Sequence, residues 1–253
     1  MPEVAYSAVA IFAFVAAWIA LSESRLFRPG YIPTPPSLAA ALLDLIRNGY
    51  QGHPLWQHVG ISMMRTGVGF AIGASLGIPL GLWAGYSRIA GAMVTPIMAF
   101  IRPIPPIAFI PMAVLYFGLG ETGKIVLIAF VAFNYAQTNA QSGASNVPRV
   151  YLRVARSMRL SPLQTFSYVV APAALPQVFT GLRVALALSW AVVVAAELVG
   201  AQLGLGYLIS DAALLLRIPT VFVGIALIGA IGLALNGILN AVEFRVVHGS
   251  GRR

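Results

Sequence analysis

Long apolar runs separated by short polar connectors form the dominant pattern along this chain. Five of these runs are interpreted as membrane-spanning helices: Ala5–Leu21, Thr66–Tyr86, Pro105–Gly118, Lys124–Gln141 and Phe179–Val199. A sixth run extends over Val221–Val242. The third run is short, but the apolar segment Ile89–Ile101 precedes it, so the two together predict one proline-broken span. The pattern therefore predicts an all-α integral membrane protein with about six transmembrane helices.

The composition leaves little chain for anything outside the membrane. Hydrophobic residues make up 59% of the 253 positions and charged residues only 9%, whereas about a quarter of an average soluble protein is charged. Six spans of about 20 residues each use about half of the chain. We therefore expect one membrane domain without a soluble catalytic domain. The absence of cysteine excludes disulfide and thiolate chemistry.

The net charge of +9 comes mainly from arginines in short connectors, which is where membrane proteins carry cytoplasmic positive charge. We therefore exclude nucleic acid as a partner. If the N-terminus lies inside, the cytoplasmic side holds Arg88, Arg149, Arg153, Arg156, Arg159, Arg245, Arg252 and Arg253. The outer side then holds Arg25, Arg28, Arg47, Arg65, Lys124 and Arg217. The cluster at 149–159 favours this orientation and the pair at 25 and 28 opposes it, so loop charge gives a weak preference for both termini inside.

The connector after the first span combines rigid and amphipathic sequence. Tyr31–Pro36 (YIPTPP) is predicted to be extended, because proline fixes φ and disfavours helix at the residue before it. Ser37 is predicted to cap a short helix that lies on the outer membrane surface. One face of that helix is expected to carry Leu38, Leu42, Leu45 and Ile46.

The second span carries glycines at a regular spacing of four: Gly69, Gly73, Gly77, Gly81 and Gly85. Small residues at this spacing allow close approach of helix backbones in a membrane. Each four-residue step advances about 40° around the helix axis, so the five glycines sweep roughly 160°. We therefore expect this span to be central and to touch two or more neighbouring helices.

Helix-breaking and polar residues interrupt two other spans. The segment Arg102–Pro111 (RPIPPIAFIP) has four prolines in ten residues, and its freed backbone groups need other helices or a water-lined cavity. The fourth span is apolar over Ile125–Phe133 and then turns polar, at Asn134, Tyr135, Gln137, Thr138, Asn139 and Gln141. Both segments are candidate linings of a translocation path. The alternatives are a kinked structural helix for the first and hydrogen bonding between helices for the second.

Two charged residues lie within apolar sequence. Glu197 is an acid inside the fifth run, either a functional carboxylate or a structural hydrogen-bond acceptor near the outer end. Arg102 lies between apolar segments, where it could attract an anion or extend to the inner interface. The candidates for the translocation path are Arg102, Pro105, Pro106, Pro111, Asn134, Tyr135, Gln137, Asn139 and Glu197.

The connector between the fourth and fifth spans, from about residue 146 to 176, concentrates positive charge in an otherwise nearly uncharged region. It holds Arg149, Arg153, Arg156 and Arg159, and prolines follow at 162, 172 and 176. A basic amphipathic helix at this place predicts either a docking surface on the cytoplasmic face or an anchor on anionic lipid.

Residue patterns for chemistry are missing. The chain has no G-x-x-x-x-G-K-[ST] loop, so it cannot hydrolyse ATP by that route. His53, His58 and His248 are placed in the outer connector and the tail, without ligands at metal-binding spacing, so we expect no metal site. Ser189 has no histidine in any predicted span. An enzymatic function has no positive support in the sequence.

Several segments follow one another in an order that resembles a known family. They are LWQHVGISMMRT at 55–66, RPIPPIAFIPMAVLYFGLGETGK at 102–124, APAALPQVFTGLRVAL at 171–186, AAELVGA at 195–201 and GLGYLI at 204–209. As a set they resemble the permease subunit of type I, binding-protein-dependent ABC importers. Within that family the chain is most similar to the branch for taurine and other sulfonates, nitrate, bicarbonate and some pyrimidine precursors.

The family's cytoplasmic loop has a pattern of E-A-A, a glycine four residues later, and I-x-L-P about ten residues further on. Here Arg153-Val154-Ala155 takes the first place, Arg159 the glycine place, and the segment VVAP at 169–172 the last. Arginine in place of glycine matters most, because a turn with positive φ tolerates it poorly. Either the turn is reshaped, or the partner ATPase has an altered acidic groove.

The resemblance implies a MetI-like core over residues 61–245, after a first span and outer connector at 1–60 and before a cytoplasmic tail at 246–253. Its coupling helix would comprise Tyr151, Arg153, Val154, Ala155, Arg156, Ser157, Met158, Arg159, Leu160 and Ser161. Contacts with a binding protein are expected at Phe117, Glu121, Gly204, Gly206 and Tyr207.

The implied assembly lies in the bacterial inner membrane and contains two copies of this chain, lipid, two ATPase subunits and a periplasmic or lipid-anchored binding protein. This chain would bind no cofactor, since ATP and Mg²⁺ belong to the ATPase, and it would not be an enzyme. The solute is expected to be a small anion, a taurine-type sulfonate first. Nitrate, bicarbonate or a neutral thiamine or pyrimidine precursor are alternatives, and an ATP-independent channel or secondary carrier is the rival class.

Overall fold

The fold is described from a computed structural model, which defines residues 2–24 and 31–247. These residues form α1 (Pro2–Glu23), α2 (Pro35–Arg47), α3 (Leu55–Tyr86), α4 (Arg88–Ile101), α5 (Ile110–Phe117), α6 (Glu121–Ser145), α7 (Arg149–Ser157), α8 (Pro162–Thr165), α9 (Ala171–Leu198), α10 (Leu205–Leu214) and α11 (Ile218–Val247). A 3₁₀ turn at Pro106–Phe109 precedes α5, and a π-helical turn at Phe166–Val170 joins α8 to α9. The predicted all-α fold is confirmed. Arg25, Arg28, His248, Arg252 and Arg253 lie outside the described residues.

Helices α3 and α6 pack along their length with parallel chain directions. The glycines of α3 approach backbone carbonyl groups of α6 that also advance by four residues, at Ile125, Ala129, Phe133, Gln137 and Gln141. A Cβ atom at Gly77 would lie 2.6 Å from the Phe133 carbonyl oxygen, so a larger residue would separate the helices. Equal four-residue steps on both helices are the signature of packing along the i±4 ridges.

The five glycines themselves share one partner helix. All five glycines face the single helix α6, because α6 follows the glycine ridge as that ridge winds around α3. The expectation that α3 itself is central holds, since it also packs against α4 and α9.

The parallel course of α3 and α6 decides how the chain between them must run. Gly69 lies beside Ile128 and Gly85 beside Gln141, so residues 87–120 have to return the chain from one end of this pair to the other. Helix α4 and the segment Pro106–Phe117 do this with a bend of 86°. The proline-broken segment thus has the course of one span.

By length and composition, α3, the continuous helix Pro162–Leu198 and α11 can each cross a membrane, and the count rises to four if the bent pair is one span. Helix α6 is 25 residues long, but its amide-rich second half makes it less apolar. The count of six spans is not confirmed among the described residues and stays a prediction.

The core lies where α6 and α9 meet beneath α10 and the 3₁₀ turn. Its buried members are Ile110, Leu127, Ile128, Val131, Trp190, Val192, Val193, Ala196 and Leu205. Trp190 also reaches α11, because its indole Nε1 donates to the Ile228 carbonyl oxygen at 3.0 Å. Helix α11 is thereby attached to the core through α9.

The outer connector differs from its prediction in its details. Helix α2 begins after Thr34, whose hydroxyl accepts from the Ser37 backbone N–H, so Thr34 and not Ser37 is the cap. Leu45 is 2% exposed and packs with Leu38 and Leu42, but Ile46 is 58% exposed and lies off that face. Packing against α11 selects a narrower apolar stripe than the sequence pattern indicated. Because α3 begins at Leu55, the predicted domain boundary at residue 60 falls inside it.

Helix α7 ends in a turn in which Arg159 adopts the left-handed conformation. Arg159 has φ of 55°, its N–H donates to the Arg156 carbonyl oxygen, and the Leu160 N–H donates to that of Ala155. These two bonds and the left-handed residue form a Schellman motif. The first alternative given for this position, a reshaped turn, is therefore not what the structure has. Arginine adopts the conformation that glycine would favour.

Candidate functional site

A buried ion-pair network joins α3, α6, α9 and the start of α10. Arg65 of α3 donates from Nε and Nη2 to the two carboxylate oxygens of Glu121, at 2.5 and 2.6 Å. Its Nη1 donates to Glu197 Oε1 at 2.7 Å and to the Leu203 carbonyl oxygen at 2.8 Å. The Arg65 side chain is 2% exposed and that of Glu197 is 0% exposed, whereas that of Glu121 is 48% exposed. All three guanidinium nitrogens of Arg65 are therefore occupied.

The Glu197 carboxylate accepts hydrogen bonds from two further donors. The Ser62 hydroxyl lies 2.7 and 2.9 Å from its two oxygens, and the Gly206 N–H lies 2.9 Å from Oε2. Gly204, with φ of 131°, and Gly206 pack so tightly here that a Cβ atom on either would collide with Glu197 or the backbone beside it. The loop between α9 and α10 is thus shaped around one carboxylate.

This network changes three predicted assignments. Arg65 was counted as an outer-loop cation, but it lies inside α3 and is saturated by carboxylates. Gly204 and Gly206 are buried, so in this structure they offer no surface to a binding protein. Glu197, a candidate for the translocation path, faces no open path here and has the contacts of a structural acceptor.

Next to the network, His58 is also placed differently from its prediction. It lies in the first turn of α3 and is 0% exposed. Its Nδ1 is 3.2 Å from the Gly204 carbonyl oxygen and its Nε2 is 3.3 Å from that of Tyr50. His58 therefore connects the outer connector to the α9–α10 loop.

The amides of α6 bond both within α6 and to neighbouring helices. Gln137 donates to Gln141 at 2.9 Å, and Gln141 donates to Thr95 of α4 at 2.7 Å. Asn139 accepts from Gln177 of the α9 helix at 3.1 Å. The contacts of Gln141 and Asn139 favour the structural alternative of hydrogen bonding between helices, and the role of Gln137 in a path stays a prediction. Asn134 is buried and Tyr135 is half-buried, and their role in a path stays a prediction.

The remaining path candidates lie at the bend between α4 and α5. Arg102 is exposed, and its Nη2 donates to Thr138 of α6 at 3.3 Å. Pro105 and Pro111 are exposed and Pro106 is half-buried. These residues line a surface of the single chain, and the structure does not close them into a channel.

Helix α7 exposes most of the predicted coupling residues. Tyr151, Val154 and Met158 are 50%, 52% and 67% exposed, and Ala155 is 1% exposed against the bundle. The exposed apolar residues border a groove of about 330 Å³ that continues to Tyr168 and Ala173. The other exposed members are Arg153, Arg156, Ser157, Arg159 and Ser161, with Leu160 half-buried.

The predicted coupling helix is shorter at its end than expected. Helix α7 stops at Ser157, and Ser161 instead caps α8 through a reciprocal pair of hydrogen bonds with Gln164. From Pro162 the helix runs without a break to Leu198. At the opposite end of the bundle, Phe117 is 47% exposed and Tyr207 is half-buried, so with Glu121 they remain available as docking residues.

Sequence reasoning missed one embedded cation. Arg183 lies within α9, and its Nη1 is 3.2 Å from Glu243 and 3.3 Å from the Asn240 amide oxygen, both on α11. The available signal was an arginine inside the fifth apolar run, only 14 positions before Glu197. Arg102 is therefore not the sole embedded cation.

Comparison with known proteins gives a consistent result. The chain is 35% identical over 230 residues to the taurine transport system permease protein TauC of Escherichia coli, covering 90% of this chain and 84% of that protein. It is 32% identical to the putative aliphatic sulfonates transport permease protein SsuC of Bacillus subtilis, covering 92% and 83% of the two chains. It is 35% identical to the bicarbonate transport system permease protein CmpB of Synechococcus elongatus, covering 89% and 83%.

The fold also has a solved counterpart. A chain from the MetNI methionine ABC transporter, in a structure titled for its inward-facing conformations, superposes with a TM-score of 0.65 at 20% identity and covers 78% of this chain and 98% of its own. This likeness shows the MetI-like fold. The family model for the binding-protein-dependent transport system inner membrane component matches residues 77–248. The chain belongs to that family, and it is an ABC importer permease of the MetI type whose family implies ATPase and binding-protein partners.

Proposed function

We propose that two copies of this chain form the membrane path of an ATP-driven importer for a small oxyanion, with a taurine-type sulfonate as the first candidate. The relatives that transport taurine and aliphatic sulfonates support this choice. Nitrate and bicarbonate are the second candidates, because permeases named for them are similarly related. A neutral thiamine or pyrimidine precursor is a further alternative.

One observation carries the mechanical part of the proposal. The helix from Pro162 to Leu198 begins directly after the α7 turn and reaches Glu197 in the ion-pair network. Its 37 residues span about 55 Å at 1.5 Å per residue. A displacement of α7 therefore moves the end of the bundle that holds the α9–α10 loop.

The surface of α7 fits a protein partner. Exposure of its apolar residues to water is unfavourable, and arginines at 149, 153, 156 and 159 surround them. An ATPase subunit with a groove that has apolar walls and an acidic rim would bury the apolar residues of α7 and form ion pairs with its arginines. ATP binding would then close the ATPase dimer, draw the two α7 helices together and shift the path between its outward-open and inward-open states.

Two of the cations that the sequence pattern places on the outer side are bonded within the helix bundle. Arg65 and Lys124 are no longer loop charges, because Arg65 is saturated within the bundle and Lys124 donates to the Leu119 carbonyl oxygen at 2.7 Å. The arginine cluster at 149–159 supports our placement of α7 in the cytoplasm. The binding protein would then dock at the opposite end, near Phe117, Glu121 and Tyr207. This chain would leave ATP hydrolysis to its partner.

Reconstitution tests the proposal directly. The permease, its ATPase subunit and its binding protein are placed in proteoliposomes, and taurine uptake is measured with and without ATP. The variant Arg153→Glu/Arg159→Glu should lose most ATP-dependent uptake, while Arg88→Glu, an exposed arginine outside α7, should retain it. Uptake that continues without ATP would instead support a channel or secondary carrier.

A further inference from the structure

Arg183 and Arg65 lie in the same helix bundle but differ in their hydrogen bonds and in their exposure. Arg65 makes bonds of 2.5–2.8 Å through all three of its nitrogens and is almost inaccessible. Arg183 has only longer contacts of 3.2–3.4 Å, to Glu243, Asn240 and Thr180, and its side chain is 37% exposed. Among the described residues, its Nε has no acceptor. Arg65 is a structural residue, whereas the Arg183 guanidinium still has donors to offer.

Arg183 lines a cavity between α9 and α11. The cavity has a volume of about 150 Å³ and is lined by Arg183, Leu186, Ala187, Trp190, Gly232 and Asn236. A water molecule occupies about 30 Å³ in the liquid, so the space accommodates a group considerably larger than one water. Trp190 uses its indole N–H on the Ile228 carbonyl oxygen and therefore presents only apolar surface here.

The position of Arg183 along α9 suits a solute on its way through the membrane. Arg183 precedes Glu197 by 14 residues, which is about 21 Å along the helix toward α7. The ion-pair network marks one end of the bundle and α7 the other. Arg183 consequently lies between the proposed binding-protein surface and the proposed ATPase surface.

We propose that Arg183, with the Asn236 amide beside it, is an oxyanion subsite of the transport path, with Glu243 as an internal competitor that holds the guanidinium when no solute is bound. A guanidinium matches the paired oxygens of a sulfonate or carboxylate. The single contact to Glu243, at 3.2 Å, is weak enough in geometry for an entering anion to displace it. This inference rests on the proposed function and names the residue that recognises the solute's charge.

Two substitutions separate this proposal from a purely structural ion pair. Arg183→Gln removes the anion ligand, so the KM for taurine uptake should rise at least tenfold. Glu243→Gln removes the competitor, so the KM should fall severalfold. A structural pair predicts that both variants impair uptake in the same direction, and that result would overturn the subsite. Arg183→Lys should be intermediate, because lysine keeps the charge without the paired donors.

A binding measurement separates failure of the subsite from failure of the importer assignment. In the full-length permease with Trp18, Trp56 and Trp83 replaced by phenylalanine, Trp190 is the remaining tryptophan. Titration with taurine should change its fluorescence, and Arg183→Gln should abolish the change. An unchanged signal in the parent protein overturns the subsite whether or not ATP-driven uptake is observed.

The lipid in the bilayer distinguishes the two possible sources of an oxyanion. The same titration is carried out in nanodiscs of neutral phosphatidylcholine and in nanodiscs containing anionic phosphatidylglycerol. Equal responses to taurine support a solute site. A taurine response that disappears with phosphatidylglycerol, together with an Arg183-dependent change caused by that lipid alone, assigns the site to a lipid phosphate and overturns the transport role.

Discussion

The substitution Glu197→Gln isolates the free energy stored in the buried ion-pair network. The carboxylate accepts from Arg65, Ser62 and Gly206 at 2.7–2.9 Å and is 0% exposed. Glutamine has nearly the same shape but carries one NH₂ group, which would point at donors, and it leaves Arg65 with only the half-exposed Glu121 as its anion. Breaking a buried ion pair by removing one partner is destabilising by about 3–5 kcal/mol.

The matched control is Glu121→Gln, which removes the other carboxylate of the same arginine. Because Glu121 is 48% exposed, solvent screens its charge and the expected loss is only about 1 kcal/mol. For a chain of this size, 1 kcal/mol corresponds to roughly 2–4 °C in the unfolding midpoint. We therefore expect Glu197→Gln to lower the midpoint by about 10 °C and Glu121→Gln by about 3 °C.

Thermal unfolding of the purified permease in detergent, followed by circular dichroism, measures both variants under the same conditions. Equal midpoints for Glu197→Gln and Glu121→Gln would refute the reasoning, because burial is the difference on which it rests. A wild-type midpoint for Glu197→Gln would mean that the carboxylate contributes no net stability.

The helix packing and turns give three further predictions. Gly73→Ala should strongly lower the unfolding midpoint because its Cβ atom would meet the Ala129 carbonyl group, whereas Gly67→Ala, which has open space around it, should raise it slightly through better helix propensity. Arg159→Gly should raise the stability by about 0.5–1 kcal/mol by removing left-handed strain. Hydrogen bonds, of which the one from Gln51 has the largest effect, hold the pKa of the Asp211 carboxyl group below its ordinary value. The contribution of the Asp211 carboxylate to the free energy of unfolding is therefore complete above about pH 4, and it is lost as the pH falls through the lower pKa of the folded state. In Asp211→Asn, the thermal unfolding midpoint measured against pH should not show this decline at acidic pH.

Local patterns predicted the elements of this fold well. The glycine spacing on α3 correctly indicated close backbone contact, and the arginine-rich connector correctly indicated an exposed amphipathic helix at α7. Both follow from helical periodicity, which fixes the side of a helix on which residues lie. Periodicity does not specify the neighbour, so the sequence alone did not show that all five glycines face the single helix α6.

The charged residues were harder to interpret. The apolar run around Glu197 marks it as an unusual acid, but the sequence pattern places its main partner Arg65 in a loop and does not single out Arg183. Arg65 is 56 residues from Glu121 and 132 from Glu197 along the chain. A buried charge requires a partner, but the sequence alone does not say which helix supplies it.

The sequence by itself determined that this chain is a bundle of apolar helices with a basic helix before the fifth apolar run, because hydrophobic runs and their interruptions are local properties. It also carried the motifs by which the family is recognised. Only the tertiary structure decided that Arg65 is saturated while Arg183 faces a cavity, and that Arg159 ends α7 in a left-handed turn. These outcomes depend on which helix surfaces meet and on how much solvent they exclude, and such long-range packing sets whether a charge is structural or free to bind.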